Sequence, residues 1–208
     1  MNLDAIMTKM KNHTPSILGQ QKMKPFSILL PLIEKDGELH LLFEVRSHNI
    51  RQPGEVCFPG GKKDAEDRHD KDTAVRESME ELGVDDEDIE QIFPLGQLVG
   101  SMDMRVNTYV GFINRSLEEI VPNPDEVGEV FTVPLSFFLH NEPEVHYITL
   151  EVKPPENFPY ELIPNGRDYN WRPRQMEEYF YIYGEKVIWG LTARVLYNFI
   201  DILQEESR

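Results

Sequence analysis

The sequence predicts one α+β domain, because short apolar runs typical of strands are mixed with helical patterns and no strict strand–helix alternation links them. The 208 residues are 40% hydrophobic and 10% aromatic, which is enough for one sizeable core. An α+β sandwich is therefore favoured over a doubly wound parallel sheet, in which strands and helices alternate.

Within this single domain, the chain is expected to begin with a helix and a connecting loop. Residues 1–10 place apolar side chains at helical spacing, and this helix is predicted to end near Asn12. A connecting loop then covers 13–24. We therefore divide the chain into a helix and loop at 1–24 and a main domain at 25–208.

Apolar runs bounded by turn signals predict the strands of the main domain. In chain order they are 26–33, 39–46, 55–58, 92–99, 106–113, 130–133, 145–150 and 178–183. The pair Asp36-Gly37 marks a hairpin turn after the first run, and Pro59-Gly60-Gly61 is expected to break the third strand.

Three further helices are predicted within the main domain. Asp72 or Thr73 is expected to cap the first of them, and Gly83 to end it. Its inward-facing stripe consists of Val75, Ser78, Met79 and Leu82. A short helix is predicted at 134–139, and the apolar spacing over 188–203 predicts a final amphipathic helix.

One irregular segment is longer than most loops. Residues 151–177 contain five prolines and separate two predicted strands. Because structureless loops of this length are uncommon in compact domains, the segment is a functional or interface candidate.

Charge and cysteine content exclude several classes of protein. The net charge of −16 argues against a nucleic-acid backbone as the main partner, and the single cysteine, Cys57, excludes an internal disulfide and a Cys-rich zinc site. The longest apolar run, 26–33, is too short to span a bilayer, and 1–10 lack the pattern of a signal peptide. We therefore expect a cytoplasmic protein that binds neither nucleic acid nor membranes.

The acidic residues are concentrated in one segment. Residues 64–90 contain 13 acidic and three basic residues. On a helical wheel of about 100° per residue, Glu77, Glu80 and Glu81 share a face opposite the apolar stripe. Like charges at this spacing repel, and Mg²⁺ would offset the repulsion because it prefers oxygen ligands. A solvated acidic face explains the spacing alone equally well.

The glycine pair Gly60-Gly61 lies between a predicted strand and this helix. Glycine lets the backbone approach a ligand closely and allows positive φ. A carbonyl group freed at this point is therefore one more candidate oxygen ligand.

The run that ends at the predicted helix resembles the Nudix box. The matching residues are Gly61, Asp67, Arg76, Glu77, Glu80, Glu81 and Gly83. Asp67 stands where the general box has Glu, and the spacer from Asp67 to Arg76 is one residue longer. Both departures are familiar in the coenzyme A diphosphatase branch of the family.

A second motif resembles the coenzyme A signature of that branch. Its residues are 42–47, Arg51, Gly54 and 58–61. The spacing from Arg46 to Gly54 is one residue shorter than in the usual form. Further segments are similar to the family as well, so that the resemblance runs from residue 25 to the C-terminus; these segments are 123–127, 130–135 and 188–193.

The resemblance implies a Nudix fold, an α/β/α sandwich around a mixed β-sheet. It also implies that Glu77 and Glu81 are the first candidates for metal ligands and Glu80 the next, with the Gly60 carbonyl as a further ligand. Arg76 is then expected to orient a box carboxylate through a salt bridge.

Residues outside the box receive roles from the same resemblance. Arg46 and Arg51 are expected to meet phosphates of the coenzyme, against the alternative that they are ordinary surface charges. Glu126 is expected to act as a downstream base or an extra metal ligand, against the alternative of a turn carboxylate after Pro124.

The implied activity is hydrolysis of the pyrophosphate bond of coenzyme A or acyl-coenzyme A, dependent on Mg²⁺ or Mn²⁺. Its products are 3′,5′-ADP and 4′-phosphopantetheine or the acyl form. Two alternatives stay open: a Nudix hydrolase for another nucleoside diphosphate compound, such as ADP-ribose or a dinucleotide, and a Nudix-like binding module without turnover. The expected partner is a small-molecule substrate, and a homodimer is left open.

Overall fold

A mixed seven-stranded β-sheet forms the centre of the protein, as the computed structural model describes it for residues 2–100 and 103–205. Its strands are β1 (Lys24–Lys35), β2 (Glu38–Arg46), β3 (Val56–Cys57), β4 (Gly60–Lys62), β5 (Ile89–Val99), β6 (Met104–Ile113) and β7 (Val127–Pro134). The spatial order is β3-β2-β1-β6-β5, with β4 beside β1 and β7 beside β2. The sheet is mixed because β1 and β6 run parallel whereas β1 and β2 are antiparallel.

Helices cover both faces of this sheet. The described helices are α1 (Leu3–Lys11), α2 (Asp70–Leu82), α3 (Leu135–His140) and α4 (Gly190–Gln204). Neighbouring residues of a strand point to opposite faces, so Leu42 packs in the core under α2 and Phe43 in the core under α4. The predicted α+β class and α/β/α layering are therefore confirmed.

A second, three-stranded antiparallel sheet lies on the α4 side. It consists of β8 (Glu144–Leu150), β9 (Arg174–Tyr183) and β10 (Lys186–Trp189), in the order β10-β9-β8. Tyr181 and Ile188 from this sheet join the core around α4. Ile188 therefore belongs to a strand, and the final helix begins two residues later than its apolar spacing predicted.

The N-terminal helix is present but packs against little. Asn2 caps α1 by accepting from the Ala5 amide, and the helix ends at Lys11, as predicted. None of its residues is buried. Met1 lies outside the described residues, and the division at 1–24 and 25–208 stays a prediction.

The third strand ends before Pro59, as predicted, but the glycine pair then forms a strand of its own. Gly60 and Gly61 pair with Ile28 and Ser27 of β1, whereas β3 pairs with β2. A Cβ at Gly60 would overlap the Ser27 carbonyl, so the close pairing requires glycine. Long-range pairing with β1, which a local pattern does not reveal, decides the conformation.

The helix α2 begins earlier than predicted and ends as predicted. His69 is its N-cap, and Asp72 accepts a hydrogen bond from the His69 amide at 2.9 Å from inside the first turn. The acidic residue therefore stabilises the helix start without being the cap. Gly83 ends the helix with a φ of 67°, as its position predicted.

In the ranges that the structure covers, no helix is both long enough and apolar enough to cross a membrane.

Candidate functional site

Four segments meet at one end of the sheet, on the side covered by α2. They are the end of β2, the glycine strand β4, the helix α2 and the loop that precedes β7. The amide of Gly60 donates to the carboxylate of Glu81 at 2.7 Å, which ties β4 to α2. The amide of Ser47 donates to the carbonyl of Glu126 at 2.9 Å, which ties the loop to β2.

Glu81 is buried rather than exposed. Only 7% of the residue is accessible, so the expectation that all three box carboxylates face away from the core is wrong for this one. The helical wheel does not show that α2 lies over β4, which shields the edge of the acidic face. Burial raises the pKa of Glu81 to about 7, the Gly60 hydrogen bond lowers it, and the charges of Glu77 and Glu126 raise it.

Glu77 lies directly against the second glycine of β4. A Cβ at Gly61 would overlap the Glu77 carboxylate, so only glycine allows this approach. Burial raises the pKa of Glu77, and its contact with Arg76 partly offsets that rise. The glycine pair thus accommodates two carboxylates of the chain itself. The predicted ligand role of the Gly60 carbonyl stays a prediction.

Arg76 of α2 forms ion pairs with three carboxylates of the site. Its guanidinium lies 3.1 Å from Asp67, 2.9 Å from Glu77 and 3.1 Å from Glu80. The Asp67 side chain is 5% exposed, and its hydrogen bonds from Arg76 are the largest cause that lowers its pKa to about 2. Asp67, the departure from the general box, is therefore the anchor of Arg76, while Glu80 lies at the exposed edge.

Arg46 and Glu126 lie near the carboxylate cluster formed by Glu77 and Glu81, whereas the Arg51 side chain does not. The positive charge of Arg46 lowers the pKa of Glu81, and the negative charge of Glu126 raises the pKa values of Glu77 and Glu81. Arg46 donates from Nε to the Arg51 carbonyl at 2.9 Å. The Arg51 side chain is exposed, so its predicted phosphate contact stays a prediction.

Glu44 belongs to the second motif, at 42–47, but no role was predicted for it from the sequence. It lies on β2, is 1% exposed and has a pKa raised well above its ordinary value, mainly by burial and then by the charge of Glu81. The available signal was a lone carboxylate in an otherwise apolar strand, since acidic residues are seldom fully buried without a partner.

The donors at this site suit a hard divalent cation in their chemistry. Glu77, Glu81 and Glu126 supply carboxylate oxygens, which Mg²⁺ and Mn²⁺ prefer, and their charges repel one another. Among the described residues, no three His, Cys, Asp or Glu side chains are gathered closely enough to hold an ion as they stand. Arg76 contacts Oε1 of Glu77 and Oε2 of Glu80, so an ion would have to use the other oxygen of each carboxylate or displace Arg76.

Comparison with known proteins identifies the family. Residues 23–152 match the NUDIX domain. The chain is 47% identical over 123 residues to a peroxisomal coenzyme A diphosphatase of Mus musculus, an alignment that covers 59% of the chain and 51% of that protein. It is 31% identical over 184 residues to Nudix hydrolase 3 of Caenorhabditis elegans, covering 86% and 73%. It is 30% identical over 173 residues to a mitochondrial coenzyme A diphosphatase of Mus musculus, covering 80% and 72%.

The chain belongs to the Nudix family. The predicted family is therefore confirmed, and its relatives are named as hydrolases and diphosphatases. The chain spans about half the length of the peroxisomal relative. The roles of individual residues and the expected cytoplasmic location stay predictions.

The raised pKa of Glu81 predicts that the metal-free protein loses stability as the pH rises. The folded protein holds the proton up to about pH 7, whereas the unfolded chain releases it near 4.5. The stabilisation is therefore complete below about pH 4.5 and is lost as the pH rises through about 7, by an amount on the order of 3 kcal/mol. Urea unfolding in EDTA at several pH values between about 5 and 8 measures this loss.

The Glu81→Gln variant isolates the effect, because its amide keeps an oxygen acceptor for Gly60 and does not titrate. Its free energy of unfolding should fall less than that of the wild type over the same range. Parallel curves for the two proteins would contradict the assignment of this titration to Glu81.

Proposed function

We propose that the protein is a metal-dependent Nudix hydrolase that cleaves the pyrophosphate bond of coenzyme A or its acyl forms. The observation that carries the proposal is the packing of Glu77 and Glu81 against Gly60-Gly61, with Arg46 at the same cluster. Two relatives named as coenzyme A diphosphatases support the choice of substrate. The products would be 3′,5′-ADP and 4′-phosphopantetheine or an acyl form of it.

Mg²⁺ or Mn²⁺ is the proposed cofactor, held by Glu77 and Glu81 with Glu80 and the Gly60 carbonyl as further ligands. A bound divalent cation lowers the pKa of water and neutralises charge on phosphoryl oxygens. Such an ion is needed here because the substrate is anionic and the chain carries a net charge of −16.

The chain's own side chains orient the reacting groups. Asp67 fixes Arg76, and Arg76 in turn holds the Glu77 carboxylate in place. Glu126 is partly accessible to solvent. Its negative charge raises the pKa values of Glu77 and Glu81, so it lies near both carboxylates. We assign to the Glu126 carboxylate the acceptance of the proton from the attacking water.

Arg46 is the proposed contact for a phosphate of the coenzyme. Its positive charge lowers the pKa of Glu81, and its Nε donates to the Arg51 carbonyl. Because Nε is engaged, the two terminal nitrogens are the pair that remains for bidentate binding of a phosphate. This contact would orient the anionic substrate beside the box carboxylates.

Turnover of coenzyme A with product identification tests the proposal. We expect Mg²⁺-dependent release of 3′,5′-ADP, and at least about a hundredfold loss of kcat in Glu77→Gln and in Glu81→Gln, since each removes a charge at the reaction centre. Glu66→Gln, an exposed residue of the same acidic loop, is the matched control and should keep full activity. Mass spectrometry of the products and steady-state kinetics provide the measurements.

The same assay separates the alternatives. Faster hydrolysis of ADP-ribose or a dinucleotide than of coenzyme A would overturn the substrate, and no turnover of any of these compounds with Mg²⁺ or Mn²⁺ would indicate a binding module. Full activity in both glutamine variants would remove Glu77 and Glu81 from the site.

Substrate discrimination tests the role of Arg46. If Arg46 binds the 3′-phosphate, Arg46→Ala should reduce kcat/KM for coenzyme A about ten- to a hundredfold more than for dephospho-coenzyme A. A hydrogen bond to a charged group contributes about 1.5–3 kcal/mol, and it exists only where the phosphate does. Equal losses on both substrates would show that Arg46 only braces the loop through the Arg51 carbonyl.

A further inference from the structure

The Glu44 side chain on β2 points toward α2, the helix that carries the glutamates of the Nudix box. Leu42, two residues earlier on the same face, packs in the core under α2. Glu44 is flanked in the sheet by Cys57 of β3 and Val130 of β7, and Val130 packs against that same core. Paired residues of antiparallel strands share a face, so the Glu44 side chain rises from the sheet toward α2.

The carboxylate of Glu44 is buried without adequate partners. It is 1% exposed, and its Oε1 has no hydrogen-bond partner in the part of the chain that the structure describes. The Cys57 thiol lies 3.9 Å from Oε2, and a thiol is a weak donor. Burial of a polar oxygen without a hydrogen bond is unfavourable, so nothing in the packing of the fold accounts for a glutamate here.

The charges around Glu44 leave an excess of negative charge. Glu81 and Glu126 both act on Glu44 as like charges, and Arg46 is the positive group that opposes them. The second guanidinium of the site, Arg76, is shared among several other carboxylates. In the absence of a cation, a bound proton is what neutralises this carboxylate, and a divalent cation from solution could replace that proton.

We propose that Glu44 is a further carboxylate of the divalent-cation site, with its unpartnered Oε1 as the oxygen that meets the ion beside Glu81. This inference rests on the proposed function, since it adds a ligand from the sheet to those of the box helix. It explains why a charged side chain occupies a fully buried strand position, and it places the ion between β2 and α2.

Mn²⁺ binding to the full chain tests the inference without reference to turnover. Isothermal titration calorimetry compares the wild type with Glu44→Gln, which keeps the shape and removes the charge. We expect Glu44→Gln to weaken Mn²⁺ binding at least about tenfold, because even changes to residues behind the direct ligands weaken metal binding about ten- to a hundredfold. Glu38→Gln, an exposed position at the other end of β2, is the matched control and should bind Mn²⁺ as the wild type does.

Thermal unfolding in EDTA provides the second readout. Glu44→Leu removes the unpartnered oxygens, so its metal-free midpoint should equal or exceed that of the wild type while its Mn²⁺ affinity falls. A Mn²⁺ affinity within twofold of the wild type in either Glu44 variant overturns the inference and leaves the proposed hydrolysis intact. A wild type that binds Mn²⁺ through Glu44 but does not hydrolyse coenzyme A overturns the substrate proposal alone.

Discussion

The hydrogen bond between the Gly60 amide and the Glu81 carboxylate is the contact on which the site depends. It joins β4 to the last turn of α2, the helix that follows it in the chain, and so fixes the acidic edge of α2 against the sheet. The absence of a side chain at Gly61 lets Glu77 follow Glu81 into the same space. If β4 carried larger residues, α2 would have to move away and the carboxylates would separate.

The same packing creates an electrostatic conflict. Burial raises the pKa values of Glu44, Glu77 and Glu81, and each of the three also raises or is raised by another acidic neighbour. Arg76 reduces the repulsion only at the exposed side of the site, where its hydrogen bonds to Asp67 hold it in place. The fold thus holds like charges together at a free-energy cost, as sites that bind cations commonly do.

Features that depend on residues near each other in the sequence could be predicted. Gly83 ends α2 where its conformational freedom indicated, and the box residues alone indicated the family. The structure gathers Glu77, Glu81, Glu126 and Arg46, which the resemblance had singled out.

The features that could not be predicted all depend on long-range pairing. Gly60 and Gly61 form a strand only because β1 lies beside them. Glu81 is buried because β4 covers one edge of α2, and a helical wheel contains no information about what covers an edge. Glu44 is on the site face because of the register of β2 with its neighbours, which a single apolar run does not specify.

The central claim is that a divalent cation neutralises the carboxylates buried between β2, β4 and α2. The most direct test is the thermal unfolding midpoint of the wild type in EDTA and in millimolar Mg²⁺ or Mn²⁺, measured at an acidic and a mildly alkaline pH. A cation that binds the folded protein must raise the midpoint, and the rise must be larger at alkaline pH, where the buried carboxylates are ionised. An unchanged midpoint with both metals at alkaline pH would contradict the account.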